Sequence, residues 1–129
     1  IDGIGDPVNR ERRREIIENG FESTAFPQAL LSMYELLAQM DHILTEAPWL
    51  AGDEYSLADI AMTPLMERLM ELNMEGLLGP DRPNLVKWWK RIQDRNSYRI
   101  CSVENPNPER QQHLNEGAEA WPLIRSIIK

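Results

Sequence analysis

Residues 55–60 read Tyr55-Ser56-Leu57-Ala58-Asp59-Ile60, and three signals for the start of a helix coincide there. Ser56 can act as N-cap, its hydroxyl accepting an N–H of the first turn. Asp59, three residues on, can reach back to the Ser56 N–H and close a capping box, with aspartate where Glu or Gln is more usual. Tyr55 and Ile60 flank the box at the positions of a hydrophobic staple. An acidic residue in the first turn also faces the positive end of the helix dipole. Alone, such a box is a common structural device. From the cap alone, Asp59→Ala is expected to cost about 1–2 kcal/mol, and more if a buried carboxylate leaves its partners unsatisfied.

Outward from the box the chain reads as helices. Leu57, Ile60, Ala61, Leu65, Leu69 and Leu72, with Met62 and Met66 beside them, give an apolar stripe to about Asn73. Pro64 removes one backbone bond within it and predicts a bend. Before the box, Pro48 to Asp53 is a tight connection in which Gly52 permits a positive φ. Earlier still, Leu30, Met33, Tyr34, Leu37, Met40 and Leu44 recur at three- and four-residue steps, predicting a long helix over Pro27 to Glu46. Asp41 falls mostly on its wet side.

After the central helix, residues 74–81 carry Gly76, Gly79 and Pro80 and read as a loop. Pro83 to about Arg95 reads as a helix with Leu85, Trp88, Trp89 and Ile92 inward. At the start of the chain, 1–6 reads as a linker. Asp6-Pro7 then opens a short polar helix, with Ile16 and Ile17 as its apolar contact and Gly20 as its stop. Residues 96–107 read as irregular, with Tyr98 and Ile100 as plugs. Asn107-Pro108 starts a further helix that fades near Gly117, and Trp121-Pro122 starts a last apolar turn. The division is therefore 7–100 for a helical domain and 101–129 for an extension of one or two short helices packing on it.

Composition narrows the function classes. The 129 residues carry a net charge of −7, with 42% apolar and 27% charged side chains, which fits one globular domain. The acidic balance argues against nucleic acid or an anionic membrane as main partner. Arg10 to Arg14 reads as a solvated helix face. Cys101 is the one cysteine, so there is no disulfide framework and no cysteine metal site, and a reducing compartment is the natural reading. No apolar run approaches the roughly 18 residues of a membrane span. There is no phosphate-binding glycine loop, metal-ligand cluster or nucleophile elbow.

The box sits between Pro48-Trp49-Leu50-Ala51-Gly52-Asp53 and Ala61-Met62-Thr63-Pro64-Leu65, and Arg82-Pro83-Asn84-Leu85-Val86-Lys87-Trp88-Trp89 follows one helix and one loop later. Together these blocks resemble the all-helical C-terminal domain of the glutathione transferase superfamily. The resemblance covers roughly Ala47 to Ile100, and Pro27 to Glu46 by pattern. It implies an all-α bundle of about five to six helices around a central buried, N-capped helix. The family's first helix is usually longer than the one here.

In that family an N-terminal thioredoxin-like domain binds glutathione and carries the residue that favours its thiolate. The C-terminal domain walls the site of the electrophilic co-substrate. This chain begins at Ile1 and has no βαβ pattern, so the resemblance makes it the C-terminal part of a longer parent. It implies no catalytic residue here and no metal. Glutathione would be the co-substrate of the parent, held mainly by the other domain. Implied partners are that thioredoxin-like domain, a hydrophobic small-molecule electrophile and, as an option, a second copy, in the cytoplasm. Candidate pocket residues are Ile17, Phe21, Phe26 and Trp121, with core or interface as their competing role. Two alternatives stay open: a non-catalytic docking module, and a glutathione-dependent dehalogenase, ether-cleaving enzyme or isomerase.

Overall fold

The computed structural model of this chain describes residues 6–129, so residues 1–5 of the linker reading lie outside the described residues. The described chain forms helices α1 (Pro7–Asn19), α2 (Phe26–Ile43), α3 (Leu57–Glu71), α4 (Pro83–Gln93), α5 (Asn96–Tyr98) and α6 (Arg110–Ile127). No strand occurs among the described residues. The fold class is the all-helical one expected. Leu37, Met66, Leu77, Leu85, Trp88 and Ile92 are fully buried and, with the buried Met40, form the centre of the core.

The α3 start is built around Asp59, which is 0% exposed. Ser56 is extended (φ −137°, ψ 179°), and its hydroxyl accepts the Ala58 N–H at 3.2 Å. Asp59 Oδ2 accepts the Ser56 N–H at 2.9 Å and the Ser56 hydroxyl at 3.1 Å. Oδ1 reaches further, accepting the Leu50 N–H at 3.0 Å and the Trp88 indole N–H at 2.7 Å. One carboxylate thus ties three segments together: the helix start, the tight connection before it and α4. Burial works to raise the Asp59 pKa, but the N–H of Leu50, the Trp88 indole and the Ser56 donors outweigh it and hold the carboxyl below its ordinary value.

This inward turn of Asp59 rotates the rest of α3. At 100° per residue, Asp59, Met66 and Leu69 share the core side, and all three are buried. Leu57 and Ile60 lie on the other side and are 81% and 49% exposed, so the inward stripe is narrower than the sequence predicts. Pro64 sits on this outer side too. The backbone bond it removes is one that Ile60 C=O would have accepted. The helix closes in a Schellman motif. Asn73 takes φ 56°, its N–H reaches Met70 C=O at 3.1 Å and the Met74 N–H reaches Leu69 C=O at 2.8 Å.

The stretch after α3 is more than a loop. A 3₁₀ turn over Glu75–Leu77 brings Met74, Leu77 and Leu78 into the core. Its last carbonyls are covered by Arg82, itself buried, which donates to Leu77 C=O at 2.6 Å and to Tyr34 C=O at 3.3 Å. The guanidinium lies 4.0 Å from the centre of the Tyr34 ring.

The N-cap residue of α4 is Arg82, whose guanidinium only donates and so cannot accept an N–H of the first turn, and α4 has no side-chain cap of its own. Asp41 of α2 supplies one from outside. Its Oδ1 accepts the N–H groups of Asn84 and Leu85, each at 2.8 Å. Asp41 is therefore a bridge between helices and not a wet-side residue. Asp41→Ala should lower stability by about 1–2 kcal/mol, several degrees of melting temperature, while Asp41→Asn should cost less. A thermal melt of each variant checks this.

Two further expectations are revised beyond α4. Residues 96–103 are wound, as α5 and a π-helical turn over Arg99–Val103. Tyr98 packs edge-on against Trp89 with centroids 5.4 Å apart, but Ile100 is 43% exposed and plugs nothing. Residues 110–127 form one continuous helix in place of two short pieces. Gly117 does not stop it. A Cβ there would lie 1.6 Å from Leu72 C=O, so the glycine is where α6 crosses the end of α3. Pro122 is accommodated within the helix.

Candidate functional site

The close crossing at Gly117 lets α6 lean over the end of α3 and leave a groove of about 690 Å³ between itself, α2 and the turn before α2. Phe26, Leu30 and Met33 of α2 form one wall. Leu69 of α3 and Leu72, its C-cap, form the floor, and Ala120, Leu123 and Ile124 of α6 form the opposite wall. Phe21 stands at the rim, 54% exposed, edge-on to Phe26 with ring centroids 5.1 Å apart and planes at 71°. The charged residues of the lining are Glu116 and Glu119. The volume lies inside the range of small-molecule sites, and the lining is apolar as such sites usually are.

The rim is held in place by α1. Glu15 accepts the Thr24 N–H at 2.9 Å and a short hydrogen bond from the buried Ser23 hydroxyl. The Ser23 hydroxyl is the first cause holding the Glu15 carboxyl below its ordinary value; burial, next in size, pulls the other way, and the Thr24 N–H adds to the lowering. This clasp fixes the turn that carries Phe21. No residue of α1 is buried, so the clasp is its chief attachment.

Of the four candidate pocket residues, the structure brings Phe21 and Phe26 together on the groove. Ile17 stands apart, 82% exposed on α1. Trp121 is half-buried and packs elsewhere, its ring lying where a Cβ on Gly76 would come within 2.2 Å. Ser56 and Asp59 form the cap described above, and Tyr55 and Ile60 line a second, smaller hollow beside α5. The groove residues that sequence reasoning did not assign to a pocket include Leu30, Met33, Leu69 and Leu72, read as helix stripes alone, and Met74, Leu77, Ala120, Leu123 and Ile124. A signal for α6 was present: Gly117, Ala120, Ile124 and Ile127 recur at steps of three and four.

A polar seam holds α6 against α3. Glu67 Oε1 accepts from Arg110 at 3.1 Å, and its Oε2 accepts a short hydrogen bond from the Tyr98 hydroxyl. Arg68 lies 3.1 Å from both Glu71 and His113 Nδ1. Burial first, then the hydrogen bond and charge of Glu67, push the Tyr98 phenol up to about 12, so it remains a donor at neutral pH. Among the described residues no group of three or more His, Cys, Asp or Glu side chains could hold a metal ion, and no helix is long and apolar enough to cross a membrane.

Comparison with known proteins gives a consistent result. The family described as "Glutathione S-transferase, C-terminal domain" matches residues 16–96. The chain is 33% identical over 91 residues to tetrachloro-p-hydroquinone reductive dehalogenase of Sphingobium chlorophenolicum, covering 68% of this chain and 36% of that protein. It is 34% identical over 64 residues to glutathione S-transferase GstB of Escherichia coli K12, covering 50% of this chain and 29% of that protein. It is 33% identical over 67 residues to glutathione S-transferase TCHQD of Arabidopsis thaliana, covering 52% and 25%. The chain thus spans about a third or less of the length of these relatives. No solved structure matches it significantly.

Proposed function

This chain belongs to the glutathione S-transferase C-terminal domain family, and on that premise we propose that its groove is the apolar wall of the co-substrate site in a longer glutathione transferase. The observation that carries the reading is the lining. Phe21, Phe26, Leu30, Met33 and Leu123 offer contact to a hydrophobic electrophile, and the titratable groups of the lining are the carboxylates of Glu116 and Glu119. Glutathione itself does not suit the groove. It is a peptide with two carboxylates, and the charged groups here are Glu116 and Glu119, which repel it. The family implies glutathione as co-substrate, so the tripeptide and the residue that activates its thiol belong to the thioredoxin-like part of the parent. The present domain contributes orientation and exclusion of water at the electrophile.

A narrower reading is favoured by the relative that covers most of this chain. That protein is named as a reductive dehalogenase of a chlorinated hydroquinone. A chlorinated aromatic ring suits the groove's dimensions, and the edge-on pair Phe21 and Phe26 presents ring faces and edges to it.

The chain should give no heat with glutathione in calorimetry. It should bind Nile red, and a chlorinated hydroquinone should displace the dye. Phe21→Ala should weaken that binding about 5- to 10-fold, the worth of one aromatic contact. In the longer parent the same change should raise the electrophile KM more than the glutathione KM. Clear glutathione binding to this chain, or dye binding indifferent to Phe21, would contradict the reading.

A further inference from the structure

We propose that the hollow beside α5 is a second binding site, one that takes a small organic carboxylate by pairing it with Arg95. The site is separate from the co-substrate groove, and the proposal does not depend on the reading of that groove. The hollow has a volume of about 350 Å³. Ile60, Pro64 and the buried Ile92 give it apolar walls, and Tyr55 and Tyr98 add two rings. That size is at the bottom of the small-molecule range and suits one ring or a short chain.

Arg95 is the cation among the described residues of the lining. Its guanidinium carbon lies 3.4 Å from the centre of the Tyr55 ring and 5.9 Å from that of Trp49, and this stacking fixes the plane of the group. Among the described residues no carboxylate or carbonyl accepts from it, and its Nε is buried without a partner. Arg82 and Arg91 also carry a buried, unbonded Nε, but their terminal nitrogens donate to the carbonyls of Leu77 and Pro48, each at 2.6 Å. Arg95 differs: rings hold it, and no acceptor of the described chain meets its N–H groups. On a chain of net charge −7, a half-buried guanidinium left unpaired is a donor fork open to an acceptor from outside.

Charge decides what that acceptor is. Glu67 is the anion among the described residues of the lining. Both its oxygens are taken, by the Tyr98 hydroxyl and by Arg110 at 3.1 Å, and Arg110 meets its charge. Arg95 is thus left uncompensated by a single charge. A carboxylate matches the guanidinium fork with two parallel hydrogen bonds and cancels that charge. A doubly charged phosphate would leave its second charge facing Glu67. Ser97 and Ser102 stand on the same lining and bring hydroxyl donors to it. The occupant is therefore a singly charged carboxylate on an apolar ring or short chain.

Cys101 lines the hollow and is exposed, which makes it a reporter. Benzoate at saturation should slow its alkylation by iodoacetamide, followed by peptide mass spectrometry, at least about fivefold. Benzamide, the neutral isostere, should need a concentration at least about tenfold higher for the same protection, and Arg95→Gln should raise the benzoate requirement by a similar factor. Phenylphosphonate should protect less well than benzoate. The comparison of benzoate with benzamide is made on the unaltered chain, so it stands even where Arg95→Gln loosens the fold. Nile red in the groove should be indifferent to benzoate, since Glu116 and Glu119 repel an anion there. Absent protection, equal protection by benzamide, or better protection by phenylphosphonate overturns the proposal. So does benzoate that displaces the dye without shielding Cys101.

Discussion

Asp59→Ala should lower stability by about 3–5 kcal/mol, well above the ordinary cost of a lost helix cap, because four donors lose their acceptor in a site closed to water. The donors are the N–H groups of Leu50 and Ser56, the Ser56 hydroxyl and the Trp88 indole. For a domain of this size the fall in melting temperature is roughly 10–20 °C. Asp59→Asn should be nearly as damaging. Both carboxylate oxygens accept from N–H donors, so either orientation of the amide points its own N–H₂ at another donor. Trp88 fluorescence and a thermal melt read both variants; a melting temperature within a degree of the parent would refute the role assigned to the carboxylate.

The same residue sets an acid limit. Its folded pKa lies below its unfolded one, and the unfolded value is about 4. The folded state thus favours the ionised form. Its contribution is full above the unfolded pKa and is lost as the pH falls through the folded one. Asp59→Asn should flatten the acid side of the stability profile while lowering the neutral plateau.

Gly117→Ala should be the second large loss, at about 3 kcal/mol or more. On an exposed helix surface a glycine-to-alanine change would stabilise by nearly 1 kcal/mol. Here the sign reverses, because the new Cβ would fall 1.6 Å from Leu72 O and 2.5 Å from Leu72 C. Backbone atoms cannot swing aside as a side-chain tip can. The helix α6 must lift, and with it the wall formed by Ala120, Leu123 and Ile124. Limited proteolysis should then cut within residues 104–129, and Nile red should be bound less well. Unchanged proteolysis and an unchanged melt would refute the close crossing of α6 over Leu72.

The frame of this fold could be read from residues that act locally. The Ser56–Asp59 spacing, the α2 stripe and the four inward residues of α4 are each short-range patterns, and each describes the folded helix. What could not be read depended on distant partners. The outward face of α3 follows from Trp88 and Leu50 drawing Asp59 inward. The role of Asp41 follows from α4 beginning after an arginine, which has no acceptor to offer, so that the cap comes from α2, 43 residues away in sequence. The unbroken α6 follows from Leu72 lying against a glycine that, taken alone, signals a stop. Of the groove, Phe21 and Phe26 were legible as aromatics at a break, whereas Trp121 faced Gly76 for reasons no neighbour in sequence records.

The Glu67 carboxylate carries a consequence for how the domain responds as a body. One oxygen holds Tyr98, beside the α3–α5 hollow, and the other holds Arg110, at the root of the helix that closes the groove. A shift of either tether pulls on the same short lever. Any coupling free energy that runs through this carboxylate between the hollow and the groove is, by linkage, equal in both directions.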